Sequence, residues 1–289
     1  MSVDLSIIIV NYNGEKLLKE CLGSILSSQT EFNYEIIVVD NASTDASGPV
    51  LAEYPTVKTL MNHQNLGFSK ANNQGAKIAQ GEWIFLLNND TILQPDTLQT
   101  LLSFAKTIPN PGLFGPKLRL PTGQVQRQGS ALSQAQYRTL KPKTVNFLVG
   151  AALLLPKDVF WKVGGLDENY VFYNEDVDLC KTLMKAGYSL YYVPQAQLIH
   201  IGGASSRTLR PKALLEGFRG GLYLVNKHYP APVFQGYRVV VGLWCLSQWM
   251  WHVLLGLGVP SAKDYAQTYK TLLRIILTNE LVAPEGRFT

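Results

Sequence analysis

A chain of 289 residues, 46% hydrophobic and 16% charged, has a globular composition and enough length for one large core with an appendage. It carries no repeat at solenoid periods and no low-complexity bias, which sets aside fibrous, solenoid and disordered classes. The net charge of +5 is unevenly placed: residues 1–199 hold 16 Lys/Arg against 17 Asp/Glu, and residues 200–289 hold 10 against 4. The surplus in the last third calls for an anionic partner there. That segment lacks the basic and aromatic alternation of an RNA-binding sheet, so no nucleic acid is expected. A phosphate-bearing substrate or an anionic membrane surface suits it better.

The chain opens within four residues on the apolar run Leu5–Val10, which reads as a buried strand rather than a leader. A helix pattern follows (Leu17, Leu18, Cys21, Leu22, Ile25, Leu26), then strands over Glu35–Val39, Val57–Met61 and Trp83–Leu87. Ala46–Glu53 and Ser69–Ala79 read as the helices between them. Short apolar runs alternating with helices predict parallel strands buried on both faces, with ligands beyond their carboxyl ends. Pro109–Lys143 reads as a loop or hairpin excursion, Phe147–Leu155 as a further strand, and Val159–Val163 as a short helix ended by Gly164-Gly165. Glu175–Ala186 is a strong helix with Gly187 as its stop, and Leu190–Val193 is a strand closed by Pro194.

The strand ends carry polar clusters: Asn11-Tyr12-Asn13-Gly14, Asp40-Asn41-Ala42-Ser43 and Asn88-Asn89-Asp90. Any one would serve as a cap or turn; three at equivalent strand ends point to a binding site. No G-x-G-x-x-G follows the first strand and no Walker lysine loop occurs, so a nucleotide would be held by side chains. Asp90 is placed to hold a divalent ion against a diphosphate, or to cap the helix starting near Pro95. Asn174-Glu175-Asp176-Val177-Asp178 packs three carboxylates into four residues at a helix start. A cap needs one or two; repulsion among three raises a carboxyl's pKa and makes it a proton acceptor. His200 precedes a glycine–serine loop that ends at Arg207, which suits metal or phosphate. The cysteines Cys21, Cys180 and Cys245 form neither a metal pair nor a disulfide framework, and imply a reducing compartment.

The ordered set Ser6–Asn13, Val38–Asp45, Asn65–Asn73, Asn88–Asp90, Gly164–Asp167, Tyr173–Leu179 and His200 resembles the family-2 glycosyltransferases, in particular the rhamnosyltransferase-like enzymes of bacterial surface polysaccharides. The resemblance spans roughly residues 4–210 and implies an α/β GT-A fold with a mostly parallel sheet, and a transferase domain over residues 1–210. It also implies a nucleoside-diphosphate sugar donor (dTDP-rhamnose or a UDP-sugar), Mn²⁺ or Mg²⁺, a glycan or lipid-linked acceptor, and inverting displacement. By that likeness Val10, Asn11, Tyr12, Asp40, Asn41, Asn65, Gly67, Asn72, Asn89 and Arg207 bind the donor. Asp90 and His200 hold the metal, with Asn88 standing where the family's motif has an acid. Asp176 is the general base with Glu175 beside it, and Asp178 and Trp161 lie on the acceptor side. A fold-sharing protein that has lost catalysis and a nucleotidyltransferase are the alternatives. The second would show a glycine-rich basic loop after the first strand, and Asn11–Gly14 offers none.

Residues 211–289 read as a basic and apolar helical extension. Val239–Val259 is almost continuously apolar, with Trp244, Trp249 and Trp251. It is long enough to span a bilayer, yet Gln248 and His252 favour an interfacial position or packing in an oligomer. A second helical pattern, Tyr265, Tyr269, Leu272 and Ile276, follows. The expected location is cytoplasmic, peripheral on the inner face of the cell membrane.

Overall fold

The computed structural model describes residues 2–129, 131–202, 210–256 and 260–282. Strands β1 (Leu5–Asn11), β2 (Tyr34–Asp40), β3 (Lys58–Met61) and β4 (Trp83–Asn88) alternate with helices α1 (Glu15–Leu26), α2 (Ser47–Ala52) and α3 (Phe68–Ile78), as the apolar runs predict. Then come β5 (Thr91–Leu93), α4 (Thr97–Lys106), β6 (Leu113–Arg119), β7 (Lys143–Val145), β8 (Ala152–Pro156), α5 (Lys157–Lys162), α6 (Glu175–Lys185) and β9 (Leu190–His200). The order in the sheet is β3-β2-β1-β4-β8-β6-β9-β5, with β7 paired to β9. Strands β1 to β4, β6 and β9 share one direction, and β5, β7 and β8 run against them. The sheet is therefore mixed: β1 to β4 form the parallel block the apolar runs predict, and the pairings of β5, β7 and β8 are antiparallel, so it is less parallel than expected.

Pleating sends alternate side chains to opposite faces. Ile7 and Ile9 pack with Leu18, Leu22 and Ile25 of α1 and Leu98, Leu101 and Leu102 of α4. Ile8 turns the other way, to Ala76 of α3, Phe160 of α5 and Leu179 and Leu183 of α6. All three isoleucines are fully buried, each contributing on the order of 1.5–3 kcal/mol. All three cysteines are buried and free.

Three segments differ from the sequence expectation, the first being the strand read over Phe147–Leu155, which starts only at Ala152 as β8. The stretch read as an excursion from Pro109 contains β6, a central strand between β8 and β9. Gly115 and Pro116 hide it, because both residues usually break strands. A Cβ on Gly115 would lie 2.8 Å from Leu148 Cδ2, so the glycine makes room for that leucine. Nor does Pro194 end β9. Val193 pairs with Pro116 and Gln197 with Lys117, leaving Pro194–Ala196 as a bulge after which the strand runs on to His200. That continuation brings His200 opposite Thr91.

The chain divides into two compact units. One holds the sheet. The other holds Glu168–Asn174 and the helices α7 (Arg210–His228), α8 (Ala231–Leu255) and α9 (Pro260–Thr278). Within the helical unit Leu222, Phe234, Val241, Cys245, Tyr269, Leu272 and Ile276 form a core of their own. Tyr269, Leu272 and Ile276 are residues of the predicted second helical pattern. Asn169 Nδ2 donates to Tyr223 Oη (3.0 Å) and Asn174 Nδ2 to the Gly217 carbonyl (3.0 Å), tying the short segment to α7. Among the described residues no helix is long and apolar enough to cross a membrane.

Candidate active site

The parallel register sets Asn11 at the end of β1 beside Asp40 at the end of β2. Both are fully buried and tied together. Asn11 Nδ2 donates to Asp40 Oδ2 (3.0 Å) and to Ser43 Oγ (3.2 Å), and the Ser43 amide donates to Asp40 Oδ1 (2.8 Å). Asn89 Nδ2 donates to Asn11 Oδ1 (2.7 Å), which joins the end of β4 to the same cluster. Asn13 closes the outer rim: its amide donates to Ser43 Oγ and its Oδ1 accepts from the Thr44 amide. Val10 and Tyr12 flank the cluster, each half-buried.

A second group adjoins it through Asn41. Asn41 Nδ2 donates to Asn65 Oδ1 (2.8 Å) and to the Gly67 carbonyl (3.3 Å), while its Oδ1 accepts from the Leu66 amide (2.9 Å). Gly67 sits at φ +84°, a conformation that favours glycine, and starts α3. Asn72, assigned to the donor pocket, is buried and donates from Nδ2 to the Phe68 carbonyl of its own helix.

Asp90 does not cap α4, which starts at Thr97 after Asp96. Its carbonyl accepts from the Ile201 amide (2.9 Å), and its carboxylate faces His200, with Oδ1 3.3 Å from Nε2. His200 Nδ1 lies 2.8 Å from Gln126 Oε1, and Nε2 is the ring nitrogen turned to Asp90. Asp90 Oδ1 and Asn88 Oδ1 are both sealed from solvent with no hydrogen-bond partner among the described residues. A carboxylate oxygen, an imidazole nitrogen and an orphaned amide oxygen from Asp90, His200 and Asn88 are the kind of donors that would suit a divalent cation. Gln126 then orients the histidine from behind. Among the described residues no three His, Cys, Asp or Glu gather as a cage. The fit is to a divalent ion shared with a diphosphate, the habit of Mg²⁺-type sites.

The start of α6 meets the same end of the sheet by a short route. The Asn88 amide donates to the Ala151 carbonyl (2.9 Å), and the preceding Gly150 amide donates to Asp176 Oδ2 (2.9 Å). Gly150 permits this approach, since a Cβ there would lie 3.1 Å from the Asp176 Cβ. Burial raises the Asp176 pKa, while the amides of Gly150 and Val177 pull it down. Burial, with the neighbouring Asp176 charge second, pushes Glu175 up to about 8. Its Oε2 is sealed and has no hydrogen-bond partner among the described residues. Tyr173 (φ +69°) and Asn174 (φ +70°), just before the helix, both hold the left-handed conformation, as do Asn13 and Ala42 at the ends of β1 and β2. Strained backbone of this kind gathers at working sites.

Asp178 is buried in the first turn of α6. Trp161 is half-buried on α5, edge-on to Phe160 with ring centroids 5.1 Å apart. Arg207 lies outside the described residues. Sequence reading placed Ser43 in the second strand-end cluster but missed Gln126 and Gly150 as partners of site groups. It also missed the role of Asn73, whose amide pairs with both backbone groups of Leu166 (2.8 and 3.0 Å) and so fixes the Gly164-Gly165 turn to α3. No local signal marks Gln126 or Gly150, because each acts on a residue far away in the chain.

A mixed sheet with helices on both faces, polar groups converging on one end and an acidic helix start beside them make up a GT-A architecture. Solved structures share the architecture. Staphylococcus aureus TarS 1–349 superposes with a TM-score of 0.59 at 16% identity, over 96% of this chain and 92% of that one. The mannosyltransferase PcManGT from Pyrobaculum calidifontis, in complex with GDP-Man and Mn²⁺, gives 0.57 at 16% identity over 97% and 88%. Residues 6–164 match the family model described as glycosyl transferase family 2. The N-acetylglucosaminyl-diphospho-decaprenol L-rhamnosyltransferase of Mycobacterium tuberculosis is 31% identical over 234 residues, covering 68% of this chain and 75% of that one. The chain belongs to glycosyl transferase family 2 and is a glycosyltransferase of rhamnosyltransferase-like kind.

Proposed function

We propose that the enzyme is an inverting transferase moving a sugar from a nucleoside-diphosphate sugar, dTDP-rhamnose or a UDP-sugar, to a hydroxyl of a lipid-linked or polysaccharide acceptor. It would work at the inner face of the cell membrane. The observation that carries this reading is the bond from the Gly150 amide to Asp176, one residue from the Ala151 carbonyl that holds Asn88. It links a half-buried carboxylate of raised pKa to the strand end bearing Asp90. The relative that acts as a rhamnosyltransferase on a diphospho-decaprenol acceptor supports the donor and acceptor classes.

In this reading Asp176 accepts the proton of the acceptor hydroxyl as its oxygen attacks the anomeric carbon, and Gly150 and Val177 hold the carboxylate in place. Glu175 keeps its own proton near neutrality, which limits the charge at the helix start. Asn11, Asp40, Asn41, Asn65, Gly67, Asn72 and Asn89 frame the nucleoside, with the backbone at Val10 and Tyr12. Asp90 and His200 hold Mn²⁺ or Mg²⁺ with the diphosphate. When bound, the ion offsets charge on the departing nucleoside diphosphate, and Arg207 would add to it. Asp178 and Trp161 shape the acceptor side. A panel of nucleotide-sugars, screened by thermal shift with and without Mn²⁺ and then by sugar release, tests the reading. A dTDP- or UDP-sugar should raise the midpoint in a metal-dependent way and be turned over. If no nucleotide-sugar shifts the midpoint or loses its sugar, the reading is wrong.

A further inference from the structure

Helix α8 is 25 residues long, about 37 Å of rod. One face is accounted for: Phe234, Val241 and Cys245 are buried in the core of the helical unit. The opposite face, about half a turn round the helix, is apolar as well and faces outward. It carries Val240, Leu243, Leu246, Met250, Trp251 and Leu254, with Leu243 and Leu254 each 65% exposed and Met250 55%. A helix apolar on every side is ordinarily buried on every side, and a continuous strip of this size marks an interaction surface.

The charge around the strip indicates its occupant. From Gly217 to Lys263 the sequence runs 47 residues without an Asp or Glu, while Arg219, Lys227, Arg238 and Lys263 fall within it. Arg219 is buried against Glu216, but Lys227 and Lys263 are exposed. Helix α9 adds Lys270, exposed on the side away from the buried Leu272; Arg274 on the same side is paired with Glu280 at 3.5 Å, and Asp264 follows Lys263. A second copy would bring this cationic, acid-poor surface against its own like. A bilayer bearing anionic headgroups offers acyl chains to the strip and the opposite charge to the exposed Lys227, Lys263 and Lys270.

We infer that α8 lies in the plane of an anionic lipid surface with this outer face in the acyl boundary and Trp251 near headgroup level. The contact gives the membrane-linked acceptor of the preceding reading a place to be met; its purpose rests on that reading, while the surface stands by itself. The test is flotation of the full chain with vesicles of phosphatidylcholine alone, or mixed with phosphatidylglycerol, at low and high salt. The chain should float with the mixed vesicles, less so at high salt, and weakly with the neutral ones. Leu243→Gln with Leu254→Gln should cut partition on the order of tenfold or more while soluble donor hydrolysis is unchanged. Lys263→Glu with Lys270→Glu should remove the preference for the anionic vesicles and keep the same hydrolysis. Failure to float with the mixed vesicles overturns the inference, as does flotation indifferent to both pairs of substitutions. So does sedimentation as a dimer that the leucine substitutions dissolve in a chain that ignores vesicles. A chain that floats as described yet releases no sugar overturns the proposed reaction and leaves the lipid contact standing.

Discussion

The strand-end cluster and the carboxylates that face it are both buried and polar, but they are completed differently. At the ends of β1 and β2 the acceptors are matched by donors: both Asp40 oxygens are taken, and Asn11 uses its amide in both directions. At the end of β4 and the start of α6, Asn88 Oδ1, Asp90 Oδ1 and Glu175 Oε2 are sealed without a hydrogen-bond partner among the described residues. A buried acceptor left unpaired costs about 1–3 kcal/mol, and folds keep such atoms where a ligand or a reaction restores the loss. The saturated half is scaffold that holds shape for a ligand. The unsaturated half has capacity left for a cation and a proton.

The contrast breaks most sharply at Asp176. Asp176→Asn keeps an acceptor oxygen for the Gly150 amide but cannot take a proton, so kcat should fall on the order of 10²- to 10⁴-fold with donor binding nearly intact. Near-normal turnover removes Asp176 from the role of base. Asp90→Ala comes next. It should abolish the Mn²⁺-dependent part of donor binding, measured by calorimetry with and without the ion, because His200 alone makes a poor site for a hard cation. Undiminished metal dependence would place the ion elsewhere.

How much of this was legible in the sequence follows the same division. The four apolar runs from Leu5 to Leu87 and their intervening helices emerge as strands and helices within a residue or two, because parallel strands buried on both faces leave an uninterrupted pattern. The polar residues at their ends are adjacent in sequence to those runs, so their convergence could be inferred from topology. Strand β6 could not be read, because Gly115 serves a packing need set by Leu148, more than thirty residues away. The continuation of β9 past Pro194 could not be read either, since a bulge is fixed by its partner strand. With that continuation hidden, the meeting of His200 with Asp90 rested on resemblance, and Gln126 behind the histidine went unnoticed.

A milder perturbation sharpens the scaffold side. Gly14 has an ordinary backbone conformation (φ −121°), so its lack of a side chain is a matter of space. A Cβ there would sit 2.3 Å from Asn89 Nδ2 and 2.6 Å from Asn11 Oδ1, the two atoms of the bond that ties β4 to β1. Gly14→Ala must part them, at about 1–3 kcal/mol of stability in denaturant unfolding, with weaker donor binding alongside. A silent Gly14→Ala would show that the strand-end network yields freely and is not scaffold.

The smallest expected effect belongs to Glu175 and turns on the sign of its proton linkage. Its folded pKa of about 8 lies above the ordinary 4.5, so between those values the folded chain keeps a proton that the unfolded chain has lost. Stability must then fall as pH rises through that window, since the native state binds more protons. Glu175→Gln has no proton to lose, so the variant's thermal midpoint should drop less than that of the parent from about pH 5 to about pH 8, with the two curves diverging toward the alkaline end. Parallel curves would mean that Glu175 ionises as freely in the fold as out of it. In that event Glu175 would add its own charge to those of its neighbours at the helix start, and Asp176 would have to act as proton acceptor beside an ionised residue.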